Sequence, residues 1–373
     1  MTRVTRIMTP GMLIFALALI IGILAAFLVK WGNPQNMGIC VGCFLRDATG
    51  ALGLHRASAV QYMRPEIIGF VLGSFGAALA FREFRARGGS NPLVRFFLGM
   101  FVMIGILVFL GCPLRALLRL AGGDLNAITG IAGLLFGVVI GVFLLKKGFS
   151  LGRSHSMPAA SGWIMPILMI GLLIMAIVKP GFMFASESGP GFKHASLIIA
   201  LVIGLFVGVA AQRTRMCTVG GWRDLILVRD TYLFKGILGL FLGALLVNLI
   251  LTYGYDESLF KLSFTGQPIA HNNHLWNFFG MALVGLGSVQ LGGCPLRQLV
   301  LSGEGDTDAG VTVLGLIMGA AVAHNFSLAS SGISVSAEGV VTGGVSASGP
   351  WVVVAGLVLC IAAGFLFRDK VKA

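Results

Sequence analysis

Ten apolar runs are spaced along the chain, near 10–30, 66–82, 94–111, 125–145, 163–179, 195–211, 236–253, 276–292, 309–327 and 350–367. A helix of roughly 20 apolar residues crosses the ~30 Å hydrocarbon core of a bilayer. The pattern therefore predicts an all-α polytopic membrane protein with about ten transmembrane helices. The first run, in MTRVTRIMTPGMLIFALALIIGILAAFLVKW, begins like a signal peptide. Its apolar stretch is too long for one and no small-x-small cleavage site follows, so a first transmembrane helix is expected.

Four shorter segments lie between the runs, at 38–55, 112–122, 217–230 and 294–304, and each carries a cysteine motif. They match in pairs. CVGCFLRD (40–47) aligns with CTVGGWRD (217–224), setting Cys40 against Cys217, Arg46 against Arg223 and Asp47 against Asp224. GCPLRALLRLAGGD (111–124) aligns with GCPLRQLVLSGEGD (293–306), setting Cys112 against Cys294, Arg115 against Arg297 and Asp124 against Asp306. Two independent matches at nearly one separation indicate an internal duplication. Each repeat reads helix, short segment, two helices, short segment, helix, with one extra helix at 163–179 between them. Four spans plus one is odd, so the second repeat is expected to enter the membrane inverted. The four short segments are then re-entrant helices meeting near the midplane, a plan on which transporters are built. Non-helical backbone at that depth must be buried or line a cavity. The expected organisation is a first repeat over 1–150, a connecting span over 151–190, the inverted repeat over 191–330, and an outer loop with a C-terminal span over 331–373.

Composition agrees. Hydrophobic residues make up 57% and charged residues 11% of the chain, with mean hydropathy +0.93, whereas soluble domains carry about 25% charged residues. The net charge of +13 is accounted for by basic cytoplasmic loops without a nucleic-acid partner. Arg3 and Arg6, the loop FREFRARGGSNPLVR (81–95), KKGFSLGRSH (146–155), QRTRM (212–216) and the tail RDKVKA (368–373) all fall on one side. The acidic YGYDESLF (253–260) and the polar stretch 327–350 fall on the other. The expected setting is a bacterial-type inner membrane with both termini cytoplasmic. Cys40 and Cys112 then approach from outside, Cys217 and Cys294 from the cytoplasm.

In Gly-Cys-Pro-Leu-Arg, proline suits the first position of a helix because it has no N–H to leave unsatisfied. Cysteine then sits at the N-cap, where anions bind and thiols become reactive. Arg115 and Arg297 follow three residues later on the same face. A soft sulfur, backbone donors and a guanidinium on one spot suit a small anion with a polarizable end and an oxyanion end. Cys40, Cys43 and Asp47 share a face in the other segment, as do Cys217 and Asp224. Asp47 and Asp224 are expected as structural partners of a buried arginine, because a lone buried charge is costly. Arg46 and Arg223 suit either substrate contact or snorkelling to the interface. Cys43 has Gly220 as its repeat mate and makes a CxxC with Cys40. No second CxxC and no HxxxH follows, which argues against zinc. Cys360 is expected to be an inert buried residue. His324 and Asn325 in the ninth span and Asn248 in the seventh are expected to bond between helices, and His271 and His274 to sit in a solvated loop. No nucleotide-binding motif or catalytic triad is present, and no cofactor is expected.

The motifs GNPQNMGICVGCFLRDATGALGLHRASAVQYMRPEIIG (32–69) and VFLGCPLRALLRLAGGDLNAITG (108–130) resemble the YeeE/YedE family of sulfur-compound membrane transporters, in particular its selenium-metabolism branch. The resemblance extends over essentially the whole chain. It implies an hourglass-like fold with the short helices meeting at its waist, and uptake of thiosulfate or a selenium species, not enzymatic turnover. Thiols at Cys40, Cys112, Cys217 and Cys294 would hold the terminal sulfur through weak S–H···S contacts and pass it inward. A cytosolic sulfur-carrier protein of the TusA type is the implied partner. Two other readings compete. One is a membrane thiol–disulfide protein using Cys40 and Cys43, and the other is an anion channel in which the cysteines only pack.

Overall fold

The computed structural model describes residues 9–335 and 341–368. Arg3, Arg6 and most of the RDKVKA tail, used above for orientation, lie outside the described residues. The first half contains α1 (Pro10–Lys30), the short α2 (Val41–Ala51), α3 (Pro65–Ala80), α4 (Pro92–Phe109), the short α5 (Pro113–Ala121) and α6 (Asn126–Lys146). After α7 (Ala159–Val178) and the single turn α8 (Gly189–Phe192) comes the second half. It contains α9 (Leu197–Thr214), the short α10 (Thr218–Val228), α11 (Tyr232–Tyr255), α12 (His274–Gln290), the short α13 (Pro295–Gly303) and α14 (Thr307–Asn325). α15 (Gly349–Leu366) follows. Among the described residues, ten helical segments are long and apolar enough to cross a membrane, so the chain is an all-α polytopic membrane protein. All four short cysteine segments are helical too.

Helix starts follow local chemistry. Pro10, Pro65, Pro92, Pro113 and Pro295 occupy the first turn of α1, α3, α4, α5 and α13. Asn91, Ser196, Asn273 and Asp306 cap α4, α9, α12 and α14 by accepting a backbone N–H of the first turn, which satisfies donors that a helix start leaves free.

α1 packs on α11 and α3 on α9, while α4 packs on α14 and α6 on α12. If each helix is exchanged for its duplicate (α1 for α9, α3 for α11, α4 for α12, α6 for α14), the first pair becomes the second and the third becomes the fourth. α4 also packs on α12, its own duplicate. The short helices obey the same exchange. α2 lies against α4 and α14 as α10 lies against α12 and α6, and α5 lies against α11 as α13 lies against α3. Lipid tails are as apolar as leucine, so these contacts depend on close packing of small residues. At the α3–α9 crossing a Cβ on Gly69 would lie 2.7 Å from the carbonyl carbon of Gly204.

Two straps close the ends of the bundle. The segment after α3 runs over the α13–α14 turn, where the N–H groups of Arg85 and Arg87 donate to the carbonyls of Glu304 and Gly305. The segment after α11 runs over the α5–α6 turn in the same way, with Lys261 and Ser263 donating to Gly122 and Gly123. Side chains make the difference. Arg87 pairs with Glu304 at 3.2 Å and with Asp306 at 2.8 Å. The other strap holds the α5–α6 turn through neutral groups, Gln267 Nε2 donating to the Lys261 and Ser263 carbonyls and Asn126 Nδ2 to the Phe264 carbonyl. Near its start Glu257 pairs with Lys30 of α1 at 3.4 Å.

Four short strands depart from the helical expectation. β1 (Arg87–Gly88) pairs with β2 (His155–Ser156), and β3 (Ser331–Val335) pairs with β4 (Val341–Gly344). The stretch read as a loop over 327–350 thus holds a hairpin, anchored where Ile333 N–H donates to the Ala270 carbonyl. His271 is also corrected. It lies fully buried, its Nε2 at 2.7 Å from the Val108 carbonyl. The apolar α4 end covers it, a tertiary contact that a polar sequence context conceals. His274 opens α12 with its ring edge-on to Phe264.

Candidate functional site

Each of the four duplicated cysteines is the N-cap of a short helix. Cys40 and Cys217 accept from the N–H three residues on, Cys43 N to Cys40 Sγ at 3.3 Å and Gly220 N to Cys217 Sγ at 3.1 Å. Cys112 and Cys294 precede the helix-starting prolines of α5 and α13. The thiols gather into two groups. Cys40 and Cys112 stand with their Sγ atoms 3.7 Å apart. At the other group the N–H of Cys294 donates to Cys217 Sγ at 3.2 Å. All four are buried, and each group takes one cysteine from each short helix of one repeat.

The glycine that opens GCPLR makes room for its arginine. A Cβ on Gly111 would lie 3.3 Å from Arg115 Cδ, and one on Gly293 would lie 2.9 Å from Arg297 Cγ and 3.6 Å from Cys217 Sγ. Both arginines therefore fold back beside their own cysteine. Arg115 is fully buried and spends its guanidinium on neutral acceptors. These are the Asn36 carbonyl at 2.9 Å, the Leu110 carbonyl at 2.5 Å, the Ile269 carbonyl at 3.3 Å and Cys43 Sγ at 3.3 Å. Cys43 thus joins the Cys40–Cys112 group as a third sulfur. Arg297 instead meets a carboxylate, Glu304 Oε1 at 3.1 Å.

The aspartates are paired. Asp47, fully buried, accepts from Arg46 Nη2 at 2.6 Å and from Arg64 Nη2 at 2.8 Å. Arg64 also donates to the Lys193 and Pro190 carbonyls, tying α2 and α3 to the segment before α9. Arg46 is buried in protein, so it does not snorkel. Asp224 pairs with Arg223 at 2.7 Å where both side chains keep about a fifth to a quarter of their exposure (21% and 24%).

Several polar residues escaped the sequence reading. Arg64 lies outside the duplicated segments. Arg119 pairs with Asp124 at 2.6 Å, both fully buried, with the guanidinium 4.3 Å from the centroid of the Phe109 ring. Leu301 stands at the matching place of the second repeat, and that substitution was the available signal. Glu304 replaces Gly122 at another of the six positions where the two segments differ. Asn248 donates from α11 to the Ala121 carbonyl of α5, a bond between helices as expected. Asn325 reaches the Leu54 carbonyl and the His324 ring lies 4.5 Å from that of His55, so both contact the segment after α2. Cys360 is buried in α15.

Comparison with known proteins bears on the second half directly. The sulphur-transport family matches residues 213–373, a stretch that includes Cys217 and Cys294. Thiosulfate transporter TsuA of Spirochaeta thermophila is 32% identical over 121 residues, covering 32% of this chain and 34% of the relative. The chain thus spans about a third of the length of the curated relative it matches.

Proposed function

Because these matches support the YeeE/YedE sulphur-transport family, we propose that the protein carries a small sulfur- or selenium-containing anion, thiosulfate-like or a selenium species, inward across a bacterial inner membrane. The anion's soft end passes from the Cys40–Cys112 group to the Cys217–Cys294 group through S–H···S contacts. Arg115 and Arg297 meet its oxyanion end. Cys43 adds a third sulfur to the outer group, and Arg46, Arg223, Asp47 and Asp224 hold the short helices in place. The observation that carries this reading is the two-fold recurrence of one arrangement: two helix-capping thiols beside an arginine that folds back over a glycine.

The exchange of helix pairings supports two inverted repeats, over 1–150 and 191–330, with 151–190 as the odd span that reverses the second. Basic residues gather at the Cys294 end (Arg213, Arg215 and Arg229 are exposed there), which supports that end as cytoplasmic and as the place where a TusA-like carrier collects sulfur. A thiol–disulfide protein would gather its cysteines at one face, whereas these stand in two groups, one per repeat. The transport reading is therefore favoured.

Uptake of labelled thiosulfate and selenite into proteoliposomes tests it, comparing the unmodified chain with Cys112→Ala and Cys294→Ala. Loss in both variants is expected, and undiminished uptake in both sinks the relay. Uptake retained in Cys43→Ala separates transport from the redox reading. Impermeant thiol reagents applied to single-cysteine variants in right-side-out vesicles should reach Cys40 or Cys112 first. Labelling of all four from one face would rule out the inverted arrangement.

A further inference from the structure

Glu304 has no counterpart in the first repeat, where Gly122 stands in its place. It is the C-cap of α13. Backbone carbonyls make that end of a helix electronegative, so a carboxylate there is disfavoured. Two guanidinium groups hold it nonetheless, Arg297 on Oε1 at 3.1 Å and Arg87 on Oε2 at 3.2 Å. The first belongs to GCPLR, one turn beyond Cys294. The second belongs to the strap after α3, whose backbone is hydrogen-bonded to Glu304 and Gly305. At the Cys112 end the matching Arg115 bonds only to neutral acceptors. One end of the molecule therefore keeps its anion-facing arginine occupied by a carboxylate of the chain, and the other does not.

We propose that Glu304 is a positioning residue that stands in for the transported anion on Arg297. This rests on the transport reading above. An anion arriving at Cys294 takes the guanidinium from Glu304, so the exchange leaves no unpaired charge on Arg297. The freed carboxylate withdraws together with Arg87, and the 81–91 strap loosens over the exit. When Glu304 returns to Arg297 the anion is expelled. The carboxylate thus speeds release at the cost of retention, and no covalent bond is made or broken.

Glu304→Gln keeps the size and one hydrogen bond but removes the competing charge. Thiosulfate binding to the purified variant should tighten by about threefold or more, the effect of removing one nearly buried ionic competitor, Glu304 keeping only 10% of its side-chain exposure. KM and kcat for uptake should fall together, because a retained anion leaves slowly. Glu304→Asp should lie between the two. A merely structural role would lower stability or kcat and leave affinity and KM unmoved, and that result overturns the proposal. A second measurement needs no variant at position 304. Trypsin cleavage within 81–91 of the unmodified chain, where Arg82 and Arg85 are exposed, should accelerate with thiosulfate, and cleavage indifferent to thiosulfate overturns the strap step. Unmodified chain that transports neither thiosulfate nor selenite removes the transport reading and this inference together. Normal transport with unchanged affinity in Glu304→Gln removes the inference alone.

Discussion

Asp47 and Asp224 occupy the same place in the two repeats, yet their substitution by asparagine should have unequal consequences. Asp47 is fully buried and neutralises two guanidinium groups, Arg46 at 3% exposure and Arg64 at 0%. Asparagine keeps one oxygen as acceptor but leaves two buried positive charges without a counter-charge. Removing one partner of a buried ion pair costs about 3–5 kcal/mol, and Asp47→Asn should fall in that range. Asp224 faces one arginine, at 21% and 24% exposure, where solvent screens the pair. Such pairs contribute about 0–1 kcal/mol, so Asp224→Asn should be nearly silent. Unfolding of each variant by SDS in mixed micelles, followed by tryptophan fluorescence, measures both differences against the parent. Arg64→Met in the Asp47→Asn background should recover part of the loss by removing one stranded charge. Equal destabilisation by the two asparagine variants would refute the assignment of Asp47 as the buried counter-charge that holds α2 to α3.

Gly293→Ala should impair thiosulfate uptake more than Gly111→Ala, because its methyl meets Arg297 Cγ at 2.9 Å whereas the other meets Arg115 Cδ at 3.3 Å; equal uptake by the two variants would count against the folded-back arginines. Gly69→Ala should lower thermal stability in detergent by forcing α3 from α9, since its methyl would lie 2.7 Å from Gly204 backbone; an unchanged melting temperature would show the crossing to be loose. Burial pushes His271 down to about 4 from its ordinary 6.5. The unfolded chain therefore takes up this proton first, and stability should be full above pH 6.5 and decline as pH falls towards 4, by about 3 kcal/mol in total. His271→Gln should flatten that decline, and an unaltered pH profile in the variant would exclude it as the source.

The spans were legible because a membrane helix must be apolar over its length, and α1 to α15 include every run so marked. The short helices were legible for another reason: a duplicated cysteine, proline and arginine cannot arise from composition. Pairing partners were harder to read. Asp47 announced its need for a cation, but Arg64 comes from outside the repeated motif and is brought in by the path of the chain before α3. Glu304 was visible only as one of six differences between two aligned segments, and similarity was what drew attention. His271 and the β3–β4 hairpin lie in polar stretches whose contacts, with the Val108 and Ala270 carbonyls, depend on tertiary placement.

The unlike chemistry of the two straps gives ionic strength a direction. Arg87 keeps 30% of its exposure while pairing with Glu304 and Asp306, so added salt weakens that closure; ions screen exposed charges over about 8 Å at physiological strength. The strap over α5 grips its turn through amide-to-carbonyl bonds that screening does not touch, and an exposed ion pair, Glu257 with Lys30, ties it to α1 instead. A simple electrolyte should therefore weaken the hold of the 81–91 strap on the α13–α14 turn more than that of its counterpart on the α5–α6 turn, so that a salt jump acts on one end of the bundle first.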